Sequence, residues 1–483
     1  MFQQRSGLVS GRRLRAALLL VCVSAALLLP AACRPRAEIT EVPAVLPTPT
    51  ATVRPTAPRV GLSSLEATAT TAPPPASVAT LSAGLSATVA AGMPPTATPD
   101  PTVGPTFDGI EGVKVLPVMT GAEADPAAWI AFTYGISGLG AGRDHFVAIY
   151  TRADNAWQEA SRFTLATADY LGPESVLVAP FGAGESIWLE VQSGVGAHGG
   201  CFDLLRFDGT TLFSEVENCN SSPFAGAIQD LDGDGLPRTV VLNQSDNYVF
   251  CYACGVRLMQ FEVQRYDDGQ MEEVPLRLLP ESAPDDLRRL NNRAVELAQA
   301  GLWKDARETI NQIPAPIDDE IVAWNARLIR LHAEARAEQA RDGAYPLLEN
   351  IFYGDYAAAM ELMRSLSVER IFSRPTPLVA GTVADGWEQS LTERIMEATT
   401  PAIQARPDLA AAFFLRGWAI HLINDNDPAI LDNIERAAQM DPGEPLFQQS
   451  VDYLRRGKGP PLLNNPDNPD APPEEGPAEG DSE

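Results

Sequence analysis

The residue pattern changes in the middle of the chain, and this change limits what each part can fold into. From 107 to 278, short runs of β-branched and aromatic residues such as AWIAFTYG and HFVAIYT alternate with Gly/Asp turns, which predicts strands joined by hairpins. From 282 to 457, apolar residues recur at helical spacing, which predicts α-helices. The chain has 483 residues, enough for two or three domains. We therefore predict a multidomain protein with an all-β repeat domain at 107–278 and an all-α domain at 282–457.

Two other segments have compositions that do not support a packed core. Residues 33–106 consist largely of Pro, Thr, Ala and Val, with few aromatic residues. Such a segment buries too little apolar surface to offset the entropy lost on folding, so we predict a disordered linker that holds the folded part away from a membrane. After Lys458 the chain carries seven acidic residues and no basic one, which predicts a disordered acidic tail at 458–483.

The N-terminus has the pattern of an export signal. The basic text RRLR precedes the apolar run ALLLVCVSAALLL, which is shorter than the ~20 residues of a membrane span and fits a signal peptide over 1–32. The text LPAAC, ending at Cys33, resembles the lipobox of bacterial lipoproteins, and that resemblance implies that Cys33 is acylated and becomes the new N-terminus. Pro30 departs from the pattern, which prefers Leu at that place. The alternative is an ordinary signal peptide that leaves Cys33 unpaired.

Both alternatives place the mature chain outside the cytoplasm, where disulfides persist. A lipoprotein with two or three acyl chains would be stably anchored, so we expect a location in the cell envelope or at the cell surface. The net charge of −27 argues against a nucleic-acid partner, because phosphate binding needs a basic face.

The β region repeats. An arginine stands before an Asp turn at Arg152, Arg206 and Arg265, with spacings of 54 and 59 residues, and each arginine follows an earlier predicted strand: AWIAFTYG, SIWLEVQ and RTVVLNQ. A period of this size is typical of propeller blades. Three units are fewer than the four of a small closed propeller, so the alternatives are a propeller-like and a sandwich-like domain.

The helical region contains two fairly specific repeat units. The text LNNRAVELAQAGLWKDARETINQIP resembles a tetratricopeptide helix pair, with Gly301 at the turn, Trp303 as the aromatic residue of the second helix and Ala306 as its small residue. A weaker match begins at Gly354. The resemblance implies stacked helix pairs that present an extended binding surface to a protein or peptide partner.

The second unit is ARPDLAAAFFLRGWAIHLINDNDPAILDNIERAAQMDPGEP. Here Gly417 and Ala419 match the first helix, Ala437 the second helix, and Pro442 closes the unit. Small residues at these places let adjacent helices approach closely.

The text DLDGDGLPR places three carboxylates, Asp230, Asp232 and Asp234, at alternate positions. Carboxylate oxygens are ligands that calcium prefers, but an EF-hand needs a bidentate acid at the twelfth position, where Val241 stands. The text resembles the FG-GAP calcium loops of integrin-type propellers, except that Arg238 replaces their acid at the ninth position. Two alternatives stay open: a calcium ion that braces a turn, and a metal-free Asx-turn loop.

Four cysteines lie in the β region. Cys201 and Cys219 are symmetric about the FDGTTL turn, so they can face each other across two strands, and Cys251 and Cys254 form CYAC. The interpretations are two structural disulfides, 201–219 and 251–254, a crossed pairing, a four-cysteine zinc site, or a redox-active pair, which would need a helix N-terminus that the surrounding β text does not offer.

No catalytic constellation is visible in the sequence. The four histidines are scattered, and neither a GxSxG elbow nor a GxxxxGK[ST] loop occurs. We interpret Trp303, Trp324 and Trp418 as repeat core, and His332 and His421 as packing or surface residues. We therefore predict a non-enzymatic lipoprotein that binds or scaffolds a protein or peptide through its helical repeats. The alternatives are recognition of a surface ligand or glycan by the β domain and, third, thiol exchange through Cys251 and Cys254.

Overall fold

The structure is a computed structural model of the 483-residue chain. The predicted signal peptide, Cys33, Cys251, Cys254 and the acidic tail lie outside the residues that it describes. Within the described part, none of the helices combines the length and the apolar character of a membrane span. The described residues are 76–91, 109–119, 126–137, 144–153, 156–182, 186–246, 249–250 and 255–457.

The described strands pair antiparallel and form two sheets, one of nine strands and one of four. The larger sheet is curled like half of a barrel. In chain order the strands are β1 Gly109–Val118, β2 Ala128–Ile136, β3 His145–Ala153, β4 Ala156–Leu165, β5 Tyr170–Leu171, β6 Val176–Ala179, β7 Ile187–Val195, β8 Gly199–Phe207, β9 Leu212–Asn220, β10 Gly226–Gln229, β11 Thr239–Asn243, β12 Phe261–Asp267 and β13 Gln270–Glu273.

The sheets are built from three meanders of four strands each. Strands β1–β4 pair in sequence order, as do β6–β9 and β10–β13. The short strand β5 pairs with both β2 and β7 and thereby joins the first two meanders into one sheet. The landmark arginines Arg152, Arg206 and Arg265 each lie on the third strand of a meander, so the period seen in the sequence corresponds to one meander.

The third meander packs on both of its faces. Val240 and Leu242 of β11 join Phe202 and Leu204 of β8 in one apolar cluster, which lies between the two sheets. Val241, which points to the opposite face, joins a cluster that includes a leucine of the helical region. A strand buried on both faces reads as a continuous apolar run rather than an alternating one, and the text TVVL fits this position. The prediction of an all-β domain is confirmed.

One helix lies within the segment that the sequence analysis assigns to a disordered linker. Helix α1 spans Ala76–Ala91, and the prediction needs correction there. Leu85 and Val89, four residues apart on one helix face, are buried in a cluster with Trp129 and Ala131 of β2. The stretch is rich in Ala and contains no Pro, and two apolar side chains on one face are enough to attach it to the outer surface of the sheet.

The region after the third meander is helical, as predicted. Its helices pack against their sequence neighbours around one continuous apolar core. The helices are α2 Asp285–Gln299, α3 Trp303–Ile310, α4 Glu320–Asp342, α5 Pro346–Tyr353, α6 Tyr356–Arg364, α7 Val368–Ile371, α8 Glu388–Ala405, α9 Ala410–Ile423, α10 Pro428–Met440 and α11 Pro445–Arg455.

A buried amide network attaches the β region to the helices. Asn291 of α2 and Asn325 of α4 are almost fully buried and hydrogen-bond to each other at 2.7 Å. Both donate to the backbone carbonyl oxygen of Arg277 in the connecting segment, at 3.2 and 2.7 Å. Since every buried amide needs partners, this network holds the connection in a single conformation.

Candidate functional site

Two turns of the helical region pack directly against each other. Gly301 joins α2 to α3 and Gly354 joins α5 to α6, and both have positive φ angles, 77° and 82°. A Cβ at Gly354 would lie 2.7 Å from the Cα of Leu302, so no larger residue fits without a backbone shift. Trp303 and Tyr356 follow the two turns at equivalent places, and both are buried. The Gly354 unit is therefore a structural counterpart of the Gly301 unit.

The second repeat unit uses small residues for close helix packing. A Cβ on Gly417 in α9 would come within 2.8 Å of the Ile434 side chain in α10. Ala419, Ala437 and, in the first unit, Ala306 are each fully buried. The small side chains at these four places leave room for the neighbouring helices, whereas Pro442 is exposed and follows the end of α10.

A groove of about 410 Å³ lies along the starts of successive helices. Its walls come from the first turns of α3, α6, α9 and α11, together with the end of α10. Repeat proteins bind partners on surfaces of this kind, which several units build jointly.

Ion pairs between helices hold the charged walls of this groove. Lys304 of α3 lies 2.7 Å from Asp355, and Arg364 of α6 lies 2.8 Å from Glu444. Asp355 and Glu444 also accept hydrogen bonds from the first turns of α6 and α11. Burial lowers the pKa of Lys304, but the hydrogen bond and the charge of Asp355 outweigh it and raise the pKa overall. The groove is thus polar, and its charges are fixed in place.

The aspartate loop, residues 230–238, connects β10 to β11 of the third meander. Asp230, Asp232 and Asp234 offer carboxylate oxygens that lie within 4.8 Å of one another. Asp230 accepts hydrogen bonds from the backbone N–H groups of Gly233 and Gly235, at 2.8 and 2.9 Å. Burial raises the pKa of Asp230, but these bonds and a hydrogen bond with Asp232 outweigh it and lower the pKa overall.

Arg238 supplies positive charge to the same loop. Its guanidinium pairs with Asp234 and lies 3.4 Å from Asp232. Burial, the hydrogen bond with Asp230 and the nearby Asp234 raise the pKa of Asp232, and one of its carboxylate oxygens is buried without a hydrogen-bond partner. The three carboxylates are suitable ligands for calcium. However, the guanidinium of Arg238 already neutralises part of their negative charge. A calcium ion in this loop would therefore compete with Arg238 for Asp232 and Asp234.

Cys201 and Cys219 form a disulfide across β8 and β9. The two residues are directly opposite in the strand register, and their Cα atoms are 4.1 Å apart. The pairing 201–219 is confirmed, which excludes a crossed pairing and a zinc site that would use these two thiols. Cys251 and Cys254 lie outside the described residues.

A second cavity, of about 390 Å³, lies where the β region meets the helices. It is lined by Phe261 of β12, Trp303 of α3, and His332 and Arg336 of α4. The sequence pattern predicts that Trp303 belongs to the repeat core and that His332 is a packing or surface residue, and it gives Arg336 no special role. The available signal was the i, i+4 spacing of His332 and Arg336, which places both on one face of α4.

No protein-family model, no curated protein and no solved structure matches this chain.

Proposed function

We propose that this chain is a non-enzymatic, lipid-anchored protein of the cell envelope that binds a protein or peptide partner through its helical region. The observation that carries the proposal is the groove along α3, α6, α9 and α11, which several helix pairs build together. The walls of the groove contain ion pairs between helices, and the exposed face of α6 forms another part of them. An extended polar groove of this type suits a peptide segment that supplies its own hydrogen-bonding groups.

As part of this proposal, the helical region is tetratricopeptide-like and the β region is propeller-like. Support for the first comes from the two equivalent turns at Gly301 and Gly354 and from the close packing at Gly417. Support for the second comes from the three four-stranded meanders. Recognition of a surface ligand or glycan by the meanders is the second candidate function.

Site-specific photo-crosslinking in intact envelopes tests partner binding. A photoreactive residue at Ala357, which is exposed and lines the groove, is expected to capture one discrete partner. The matched control is Glu334, which is exposed on α4 and does not line the groove. Equal capture at both positions, or none at Ala357, would contradict the proposal.

The lipid anchor is tested separately. Metabolic labelling with an alkyne fatty acid is expected to mark the wild-type chain and to leave Cys33→Ser unlabelled. Labelling that is missing from the wild type would assign the N-terminus to an ordinary signal peptide, and labelling that persists in Cys33→Ser would show that the acyl chain is not on Cys33.

A further inference from the structure

The buried arginine of the helical region has no compensating charge among the described residues. Arg336 of α4 is 6% exposed. It donates one hydrogen bond, to the backbone carbonyl oxygen of Phe352 at 3.3 Å, and its Nε is buried without a partner. No carboxylate of the described residues lies within ion-pair distance of it. Buried arginines are ordinarily paired, so this one departs from the rule.

The other charged residues of the cavity already have partners. Arg394 lies 2.9 Å from Asp246 and 3.2 Å from Glu397, so the acid at the cavity edge is engaged by its own neighbour. Burial lowers the pKa of Arg336 to about 9, and the guanidinium is therefore still protonated at neutral pH. Among the described residues, the cavity therefore holds one positive charge that no carboxylate compensates.

The walls around this charge are flat and aromatic. The rings of Trp303 and His332 stack with centroids 4.5 Å apart and an angle of 12° between their planes. The guanidinium of Arg336 lies 5.1 Å from the centre of the Trp303 ring, and Phe261 contacts His332 from the β region. Burial, together with the charge of Arg336, lowers the pKa of His332 to about 3, so this imidazole is neutral and adds no second charge. Its Nδ1 is also buried and has no hydrogen-bond partner in the part of the chain that the structure describes.

A volume of about 390 Å³ falls in the range of small-molecule sites, which are mostly apolar with a few polar groups that fix the orientation of the ligand. A guanidinium binds a carboxylate through two parallel hydrogen bonds. Because a single charge is uncompensated, a monoanion matches the site better than a dianion does.

We propose that this cavity binds a small organic monoanion, a carboxylate carried on an aromatic or similarly flat apolar group. The carboxylate pairs with Arg336, and the flat group lies against Trp303 and His332. The cavity and the groove at the helix starts are lined by different residues. The proposals of small-molecule binding and of partner binding are therefore tested independently.

Isothermal titration calorimetry on the full chain tests the proposal, with phenylacetate and indole-3-acetate as probes. Both carboxylates are expected to bind, whereas phenylacetamide, which has the same shape without the charge, is expected to bind at least about tenfold more weakly, as the loss of a charged hydrogen bond implies. Equal affinity for the amide, or no binding of either carboxylate at millimolar concentration, would overturn the proposal. Inorganic phosphate that binds as tightly as the carboxylates would also overturn it.

Variants on α4 separate binding from folding. Arg336→Met is expected to lose about 10- to 100-fold in affinity for the carboxylates, and Arg336→Lys to retain part of it, because lysine keeps the charge but not the forked donors. Arg330→Met is the matched control, since Arg330 is exposed on the same helix and lies outside the cavity; its affinity is expected to equal that of the wild type. Thermal melts of each variant without ligand check the fold, and an unchanged affinity in a folded Arg336→Met variant would refute the assignment.

Discussion

Two arginines show how differently two regions of this molecule treat a positive charge. Arg238 lies in the aspartate loop beside Asp232 and Asp234. Arg336, in the helical region, is buried with no carboxylate partner among the described residues. A paired charge near the surface changes stability little, whereas a buried charge without a partner is costly. A residue that lowers the stability of the folded state and is nevertheless present is expected to have a function.

The β region contains a negative counterpart of Arg336. Asp203 of β8 is 3% exposed, and it stands opposite Glu217 on β9. Burial first, and then the charge of Glu217, raises the pKa of Asp203 to about 7. The comparison therefore predicts that removal of a buried charge without a partner stabilises the protein, while removal of a partnered charge near the surface has a smaller effect of the opposite sign.

The largest effect is expected from Asp203 and is dependent on pH. The pKa is higher in the folded state than in the unfolded state, so the folded state binds more protons between the two values, and stability falls as the pH rises from about 4 to about 7. Asp203→Asn is expected to be more stable than the wild type by about 2–4 kcal/mol at about pH 8, where about 1.4 kcal/mol corresponds to one pKa unit. Urea denaturation of the wild type and of the variant at about pH 4 and at about pH 8 measures this difference in stability. An advantage of the variant that is the same at about pH 4 would contradict the explanation.

The next effect concerns the stability of the ligand-free protein. Arg336→Met is expected to raise the free energy of unfolding by about 1–4 kcal/mol, because it removes an uncompensated buried charge and keeps most of the side-chain volume. Urea denaturation of the ligand-free protein is the measurement, and Arg330→Met is expected to change the value by less than about 0.5 kcal/mol. A clear loss of stability in Arg336→Met would show that Arg336 supports the fold.

A smaller effect of opposite sign is expected in the aspartate loop. Asp230→Ala removes the acceptor of two backbone hydrogen bonds, from Gly233 and Gly235, and is expected to lower the free energy of unfolding by about 1–2 kcal/mol. Asp230→Asn keeps one of the acceptors and serves as the control, with a smaller loss. If Asp230→Ala unfolds at the same urea concentration as the wild type, the loop does not depend on these bonds.

The smallest effect concerns calcium. Because Arg238 pairs with Asp232 and Asp234, the thermal midpoint of the wild type is expected to rise only slightly in millimolar calcium compared with chelator. Arg238→Ala frees the carboxylates and is expected to increase the shift. If neither protein shifts in millimolar calcium, the loop is a metal-free turn.

Patterns that depend on neighbouring residues were predictable. The alternating runs and the helical spacing indicated the β and helical regions, and the repeated arginines indicated three units. The symmetry of Cys201 and Cys219 about their turn indicated the disulfide, since residues at equal distances from a hairpin turn become partners in the register. The position of Arg238 in the loop indicated a departure from the FG-GAP pattern, which has an acid there.

Contacts between distant residues were not predictable. Helix α1 was not predictable because only Leu85 and Val89 attach it to the sheet. Two apolar residues are too few to show a helical period in the sequence. The cavity was missed because Phe261, Trp303 and Arg336 come from three separate elements, and no spacing in the sequence relates them.

The sequence by itself determined the β region, the helical region after it and the Cys201–Cys219 disulfide, because each of these follows from a short-range period or from symmetry about a turn. Only the tertiary structure decided that Arg336 is buried beside Trp303, with no carboxylate of the described residues as its partner. Burial and the presence of a counter-ion depend on which distant segments meet in space, and the packing of α4 against β12 and α3 brings those segments together.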